Sequence, residues 1–317
     1  MKSSMIRTMV LFLCIGFICS ACTGDSQSSQ NTPPPGEGSA IVQTDGSGLT
    51  ESIEKSIDAA YSTFLADMVV YNTLDPDVLN VMLSEEPPPF LLDVRSVAEV
   101  EMNGRIQGAV VIPLRDVGKH TDQLPSFDTT IVSYCGSGWR CTIAMTALEA
   151  LGWQYVLSLK GYSYYGWVEA GYPIVGGIPE AVPLNAAQPD AALLAHIDAT
   201  LSSIPEGRGA ITAETLNTEI IENPQIILVD VRRQEELEDI GMIEGAINIP
   251  LESFISTKAD WPADKDATIV VYCGSDHRST IAMTILWSYG YSDVSSLYGG
   301  VYGWLDAGYS VVQYAMQ

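Results

Sequence analysis

Two cysteines stand in matching settings. Cys135 opens the run Cys135-Gly136-Ser137-Gly138-Trp139-Arg140, and Cys273 opens Cys273-Gly274-Ser275-Asp276-His277-Arg278. Small residues let a backbone curl tightly, so that its N–H groups converge into an anion-binding cup. Each run follows an apolar stretch with strand character and precedes one with helical spacing. The positive end of that helix then adds to the same point. A thiol so placed is expected to give up its proton readily. Arg140 and Arg278 close the loops with a fixed positive charge and five donors each. The chemistry this suits is attack by a thiolate, with sulfur carrying or accepting negative charge.

The loops differ at two positions. Gly138 is answered by Asp276, and Trp139 by His277. A carboxylate near a thiol raises its pKa and repels an anionic donor, and a protonated His277 would offset that. Cys135 is therefore expected to be the stronger thiolate, unless both side chains point to solvent and tune little. A third difference follows the loop arginine, where Cys141 stands opposite Ser279. Two roles are open to Cys141. It could resolve an oxidised or persulfidated Cys135 as a disulfide, or it could be a small buried hydrophobe at the helix start.

The elements that must position these loops also come twice. FLLDVRSVAEVE, from Phe90, returns as ILVDVRRQEELE from Ile227. TTIVSYCGSGWRCTIAMTALEALG, from Thr129, returns as ATIVVYCGSDHRSTIAMTILWSYG from Ala267. GWVEAGY at Gly166 returns as GWLDAGY at Gly303. The spacing is 137 residues between Asp93 and Asp230 and 138 between Cys135 and Cys273, which marks a diverged duplication. Unbroken apolar runs (PFLLDV and TIVSY, then QIILVDV and TIVVY) predict strands covered on both faces. Helices are expected over Ser52 to Met68, Asp77 to Leu83, Asp190 to Ile204 and Ala213 to Glu222. Behind the first loop, Ile143, Met145, Leu148 and Leu151 recur at helical spacing, with Gly152 as a stop. Strand, loop and helix in alternation predict an α/β fold with a mainly parallel sheet. In such sheets ligands sit at the carboxyl edge, where both loops fall.

Both halves resemble the rhodanese (sulfurtransferase) superfamily over about residues 50–316. In the first half the resemblance rests on Asp93-Val94-Arg95, Glu99, Gly104 with Ile106, Gly108-Ala109, Ile112-Pro113 and the C-x-x-G-x-R loop. Leu159-Lys160-Gly161, Trp167 and Gly171-Tyr172-Pro173 extend it. The second half carries Asp230-Val231-Arg232, Glu236, Gly241 with Ile243, Gly245 to Pro250, and Leu297-Tyr298-Gly299-Gly300 with Trp304. The resemblance implies two tandem rhodanese-like domains, each a mainly parallel sheet flanked by helices. It also implies a cycle in which the loop cysteine takes a sulfane sulfur from a small donor, becomes a persulfide, and passes the sulfur to a thiol or other nucleophile. Cys135 and Cys273 would be the nucleophiles, with Arg140 and Arg278 bracing the loops and attracting anionic donors. Asp93, Arg95, Asp230 and Arg232 would form framework ion pairs. Phosphatases and arsenate reductases of this fold use five residues between Cys and Arg, and both loops here have four, so sulfur chemistry is favoured over phosphate chemistry. The loops of mercaptopyruvate sulfurtransferases begin with Cys-Gly-Ser-Gly, as only the first loop does, and the donor stays open. A rhodanese fold kept purely for binding or scaffolding is the other reading.

The remaining features bound the setting. A formal charge of −24 over 317 residues argues against nucleic acid and against docking on anionic lipid by charge. Lys2, Arg7 and the apolar run Met9 to Cys19 predict a signal peptide over residues 1–21. Cys19-Ser20-Ala21-Cys22 resembles the lipobox of bacterial lipoproteins, with Cys19 where Leu is usual. Cys22 is therefore expected to carry a lipid, and the protein to be exported and lipid-anchored, or secreted if Cys22 is unmodified. Residues 22–50, rich in Ser, Gly, Gln and Pro, read as a tether. The domains are then expected over 51–175 and 190–317, with a proline-rich linker at 176–189. Three cysteines remain in the folded part, too few for a disulfide framework. His120, His196 and His277 lack ligand spacing, so no metal is expected, and no cofactor-binding motif is present. Tyr162, Tyr164, Tyr165 and Trp167 could wall the pocket beside Cys135 or serve packing.

Overall fold

The apolar runs become strands and the periodic stretches become helices. In the computed structural model the first half runs α1 (Glu51–Asp67), β1 (Thr73–Leu74), α2 (Pro76–Met82), β2 (Phe90–Asp93), α3 (Val97–Asn103), β3 (Arg105–Ile106), β4 (Val110–Val111), β5 (Ile131–Tyr134), α4 (Trp139–Ala150), β6 (Val156–Leu159), α5 (Ser163–Glu169) and β7 (Ile174–Val175). The second half runs α6 (Ala191–Ser203), β8 (Ala210–Ile211), α7 (Ala213–Glu222), β9 (Ile227–Asp230), α8 (Gln234–Ile240), β10 (Ile247–Asn248), β11 (Ile269–Tyr272), α9 (His277–Ser288), β12 (Val294–Leu297) and α10 (Gly300–Asp306). The structure describes residues 49–160 and 162–314. The expected signal segment, Cys22 and the tether up to residue 48 lie outside the described residues.

Each half folds as one parallel five-stranded sheet, of order β1-β6-β5-β2-β4 in the first and β8-β12-β11-β9-β10 in the second. The central pairs match in register: Phe90 faces Ile131 and Asp93 faces Tyr134, while Ile227 faces Ile269 and Asp230 faces Tyr272. Every residue of β5 and of β11 is buried, as a strand covered on both faces must be. Such strands end at the carboxyl edge of the sheet, and the cysteine loops begin there.

The halves share a core. Cys141 to Ala150 of α4 are all buried, as are Arg278 to Leu286 of α9. Neither helix shows an apolar stripe, because one side lies on its own sheet and the other on its partner helix. Met145 and Leu148 thereby join Ile281 and Ile285 in one continuous apolar cluster. Truncating any one of them to alanine is expected to cost roughly 2–5 kcal/mol.

The opening helices cross between halves. α1 packs on α4 and on the turn at Leu251–Ser253 of the second half, while α6 packs on the turns spanning residues 114–123 of the first. Lys258 reaches Glu54 at 2.7 Å and Asp58 at 2.8 Å, and Arg115 donates to the Ile204 carbonyl at 2.6 Å. The link at 176–189 has no regular structure and is pinned by the Leu184 and Asn185 N–H groups on the Asp122 carbonyl. Among the described residues no helix is long and apolar enough to cross a membrane.

Candidate active site

The two cysteines lie at the floor of their loops, each about 1% exposed. β5 delivers Cys135, and the start of α5 clamps it. The Tyr164 N–H donates to the Cys135 carbonyl at 3.0 Å, and the Cys135 N–H donates to Ser163 Oγ at 3.1 Å. α10 does the same in the second half, where the Val301 N–H reaches the Cys273 carbonyl at 2.8 Å. The loops then turn back on their own sulfurs. The Gly138 N–H points at Cys135 Sγ and the Asp276 N–H at Cys273 Sγ, both at 3.2 Å. That turn demands positive φ: 117° at Gly138 and 135° at Asp276. Glycine takes this geometry without strain, and aspartate does not. Ser137 and Ser275 stand exposed at the lip. Gly136 and Gly274 lie under the half-exposed rings of Tyr165 and Tyr302, 3.1 and 3.3 Å from where a Cβ would stand.

The loop arginines are held by residues not singled out from the sequence as site residues. Arg140 forms a two-pronged pair with Glu99, both bonds 2.6 Å, and Arg278 does the same with Glu236. Glu99 comes from a helix start. Ser96 and Glu99 form a capping box, with the Ser96 N–H on Glu99 Oε2 at 2.9 Å and the Glu99 N–H on Ser96 Oγ at 3.3 Å. The S-x-x-E spacing was the available signal. Arg140's bonds hold the Glu99 carboxyl down to about 2. The expected free charge at the loop mouth is therefore mostly balanced, and each arginine braces its loop more than it attracts a donor.

Cys135 is the activated thiol. Burial alone would push it up. The Cys141 thiol, the Arg140 charge and the Gly138 N–H outweigh that and bring it down to about 6. Cys141 Sγ lies 3.7 Å from Cys135 Sγ. Burial, and then its bond to Cys135, push Cys141 well up, so the proton of the pair rests on Cys141. In the second loop Ser279 Oγ takes this place, 3.6 Å from Cys273 Sγ. Cys141 is buried, but it is no inert hydrophobe.

His277 and Trp139 correct the reading of the loops. Neither points to solvent and neither serves the anion cup. His277 is half-buried between the halves, with Nδ1 2.9 Å from Thr142 Oγ1 and Nε2 2.8 Å from the Tyr71 carbonyl. Burial pulls its pKa down to about 4, so it is neutral near pH 7 and does not offset Asp276. Trp139 makes the mirror contact: its Nε1–H donates to the Arg208 carbonyl at 2.9 Å, and its ring lies against Tyr298. Tyr71 and Arg208 stand two residues before β1 and β8, both with positive φ. Each half thus receives the fifth loop residue of the other. Their side chains differ, however. The Tyr71 hydroxyl accepts from Arg233 at 2.6 Å and from Arg278 at 3.4 Å, and donates to Glu252 at 2.9 Å. A tyrosine of the first half therefore stands over the arginine of the second loop, beside a cavity of about 430 Å³ also lined by Leu65, Met68, Val70, Arg233 and Glu252. No local sequence signal marks Tyr71.

The framework residues sit one layer below. Arg95 binds Asp93 at 2.5 Å and the Gly104 carbonyl at 2.7 Å, and Arg232 binds Asp230 at 2.6 Å and the Gly241 carbonyl at 2.7 Å. All four are fully buried. The Arg95 guanidinium lies 3.6 Å from the Tyr164 ring centroid, which ties it to the residue clamping Cys135. Trp167 and Tyr164 are core, Tyr165 is rim, and Tyr162 is exposed. Among the described residues no group of three or more His, Cys, Asp or Glu side chains is placed to hold a metal.

Comparison with known proteins gives the family. The rhodanese-like domain model matches twice, over residues 75–170 and 212–307, more than half of the chain. The chain belongs to the rhodanese family. α1 and α6, the helices that cross between the halves, lie outside both matches. A protein named sulfurtransferase from Allochromatium vinosum is 32% identical over 102 residues, 32% of this chain and 92% of that protein. A rhodanese domain-containing protein of Drosophila melanogaster is 35% identical over 83 residues, 23% of this chain and 75% of that protein. A solved thiosulfate sulfurtransferase from Pseudomonas aeruginosa aligns at 21% identity and a TM-score of 0.33, over 77% of this chain and 44% of that one.

Proposed function

We propose that this rhodanese is a sulfurtransferase that moves a sulfane sulfur through a cysteine persulfide, with Cys135 as the principal carrier. The observation that carries this reading is a buried thiol, lowered to about 6, at the floor of a four-residue loop closed by Arg140. With thiosulfate as donor, the Cys135 thiolate attacks the outer sulfur, the S–S bond of the donor breaks, and sulfite leaves with the bonding pair. The persulfide anion then rests among the loop N–H groups, and an acceptor thiolate takes its terminal sulfur and restores the Cys135 thiolate. Family membership and the named sulfurtransferase relative support this class of reaction. Cys273 has the same loop and would act as a second carrier.

The test is sulfur release from thiosulfate and from a low-molecular-weight persulfide, with Cys135→Ser, Cys273→Ser and the double variant. Loss of most turnover in Cys135→Ser and all in the double variant is expected. A wild type that moves no sulfur from any donor, while binding the same partner as the double variant, would establish the scaffold reading. We further propose export and anchoring through a lipid on Cys22, supported by the composition of residues 1–22. A mature N-terminus without a lipid mass at Cys22 refutes that.

A further inference from the structure

The first loop holds a second thiol that the transfer cycle does not use. Cys141 is wholly buried beneath the loop, its sulfur 3.7 Å from that of Cys135. A disulfide needs about 2.05 Å, so the sulfurs have roughly 1.6 Å to close, within reach of a χ1 rotation. Nor does Cys141 sit in an apolar slot. Its sulfur meets the Gly138 carbonyl at 3.1 Å, Ser158 Oγ at 3.2 Å, the Leu159 carbonyl at 3.6 Å and Ser163 Oγ at 3.9 Å. These contacts hold the thiol oriented, and both cysteines are free.

We propose that Cys141 discharges the Cys135 persulfide internally, releasing hydrosulfide and leaving a Cys135–Cys141 disulfide. The first loop would then turn sulfane sulfur into sulfide as well as hand it on. The step rests on the persulfide reading above. Cys141 sulfur bonds to the inner sulfur of the persulfide, and the bond to the terminal sulfur breaks. The terminal sulfur leaves with the electron pair and takes the Cys141 proton, so a persulfide anion and a thiol yield a disulfide and HS⁻. The sulfane sulfur is reduced and the two cysteine sulfurs are oxidised. An external dithiol then returns the disulfide to two thiols. No oxidant is needed, because the persulfide brings its own oxidising equivalent.

The second loop is the internal control. Ser279 occupies the same place, 3.6 Å from Cys273 Sγ and bonded to the Asp276 carbonyl at 2.9 Å. A hydroxyl can donate to the sulfur there, but it cannot form a disulfide. The second loop would therefore store a persulfide that the first loop discharges. Because this fold already seats a serine at that position, Cys141→Ser is expected to fold.

The experiment loads the full chain in a Cys273→Ser background with inorganic polysulfide, removes the excess, and follows released sulfide and intact mass without reductant. With Cys141 present, about one sulfide per chain is expected, together with loss of two hydrogens and a peptide joining Cys135 to Cys141. With Cys141→Ser, the added sulfur should stay on Cys135 at least ~10-fold longer. In a Cys135→Ser background, Ser279→Cys should confer sulfide release on the second loop. Persulfides of equal lifetime with and without Cys141 would overturn the proposal and leave the carrier reading standing. Absence of any added sulfur on Cys135 even in the Cys141→Ser chain, with no sulfide released by the chain that keeps Cys141, would overturn both.

Discussion

Asp276 occupies a position built for glycine, and replacing it with Gly138's residue tests the account of the loop quantitatively. Its φ of 135° is near the 117° of Gly138, and holding a non-glycine residue there costs on the order of 1–3 kcal/mol. Its carboxyl is mostly buried and accepts one long bond, 3.4 Å from the Gly299 N–H. Burial pushes its pKa from 3.8 up to about 6. A carboxyl raised on folding stabilises the folded state only while protonated. That contribution is complete below the unfolded value near 4 and is lost as pH rises through 6. Above pH 7 the ionised group then costs roughly 3 kcal/mol. Glycine gives back about 0.5–1 kcal/mol through its freer unfolded chain. Asp276→Gly should therefore stabilise the protein by roughly 3–5 kcal/mol at pH 8, and by about 1–2 kcal/mol at pH 4. Asp276→Asn keeps the shape and removes the charge, so it should recover only the pH-dependent part. Urea unfolding followed by tryptophan fluorescence at both pH values reads these differences, and the shared core predicts one cooperative transition. A gain equal at pH 4 and pH 8, or no gain at pH 8, would refute the reasoning.

Three further outcomes follow from the site. Iodoacetamide alkylation of Cys135, in a Cys273→Ser background, should rise with a midpoint near pH 6; a midpoint at the ordinary thiol value of about 8.5 would contradict the activated thiol. His277 is held neutral by burial, with its pKa down at about 4. A depressed histidine contributes stability above its unfolded value near 6.5 that is lost as pH falls toward 4. His277→Phe should therefore flatten the acid side of the stability profile by roughly 3 kcal/mol while losing two bonds at neutral pH; an unchanged acid slope would count against it. Tyr71→Phe removes the hydroxyl that accepts from Arg278. Turnover through Cys273, measured in Cys135→Ser protein, should change several-fold, roughly the worth of one hydrogen bond to a charge. Turnover through Cys135 should not change, and an equal effect on both loops would mean a general packing loss.

Much of the fold was legible because it is local. Phe90–Asp93 and Ile131–Tyr134 are strands because apolar residues run unbroken, and α4 starts after Gly138, where glycine takes the positive φ of the turn without strain. The repeat then doubled every such inference. The site was legible in part for the same reason. The cysteine, the four-residue spacing and the closing arginine lie within one short run. What stayed hidden was where side chains of that run point. His277 and Trp139 neither tune the thiols nor point to solvent but bridge the halves, because α4 and α9 pack face to face and turn the fifth loop residue across the seam.

The sequence alone determined that there are two copies of one α/β unit, that each places a cysteine at a sheet edge, and that each loop sets four residues between its cysteine and its arginine. These follow from periodicity, spacing and the steric permissiveness of glycine, all of which act within a few residues. Tertiary structure decided that Glu99 and Glu236 hold the loop arginines, that Tyr71 stands over Arg278, and that Cys141 comes within 3.7 Å of Cys135. Charge balance and proton position depend on distances between groups far apart along the chain, and only packing sets those distances.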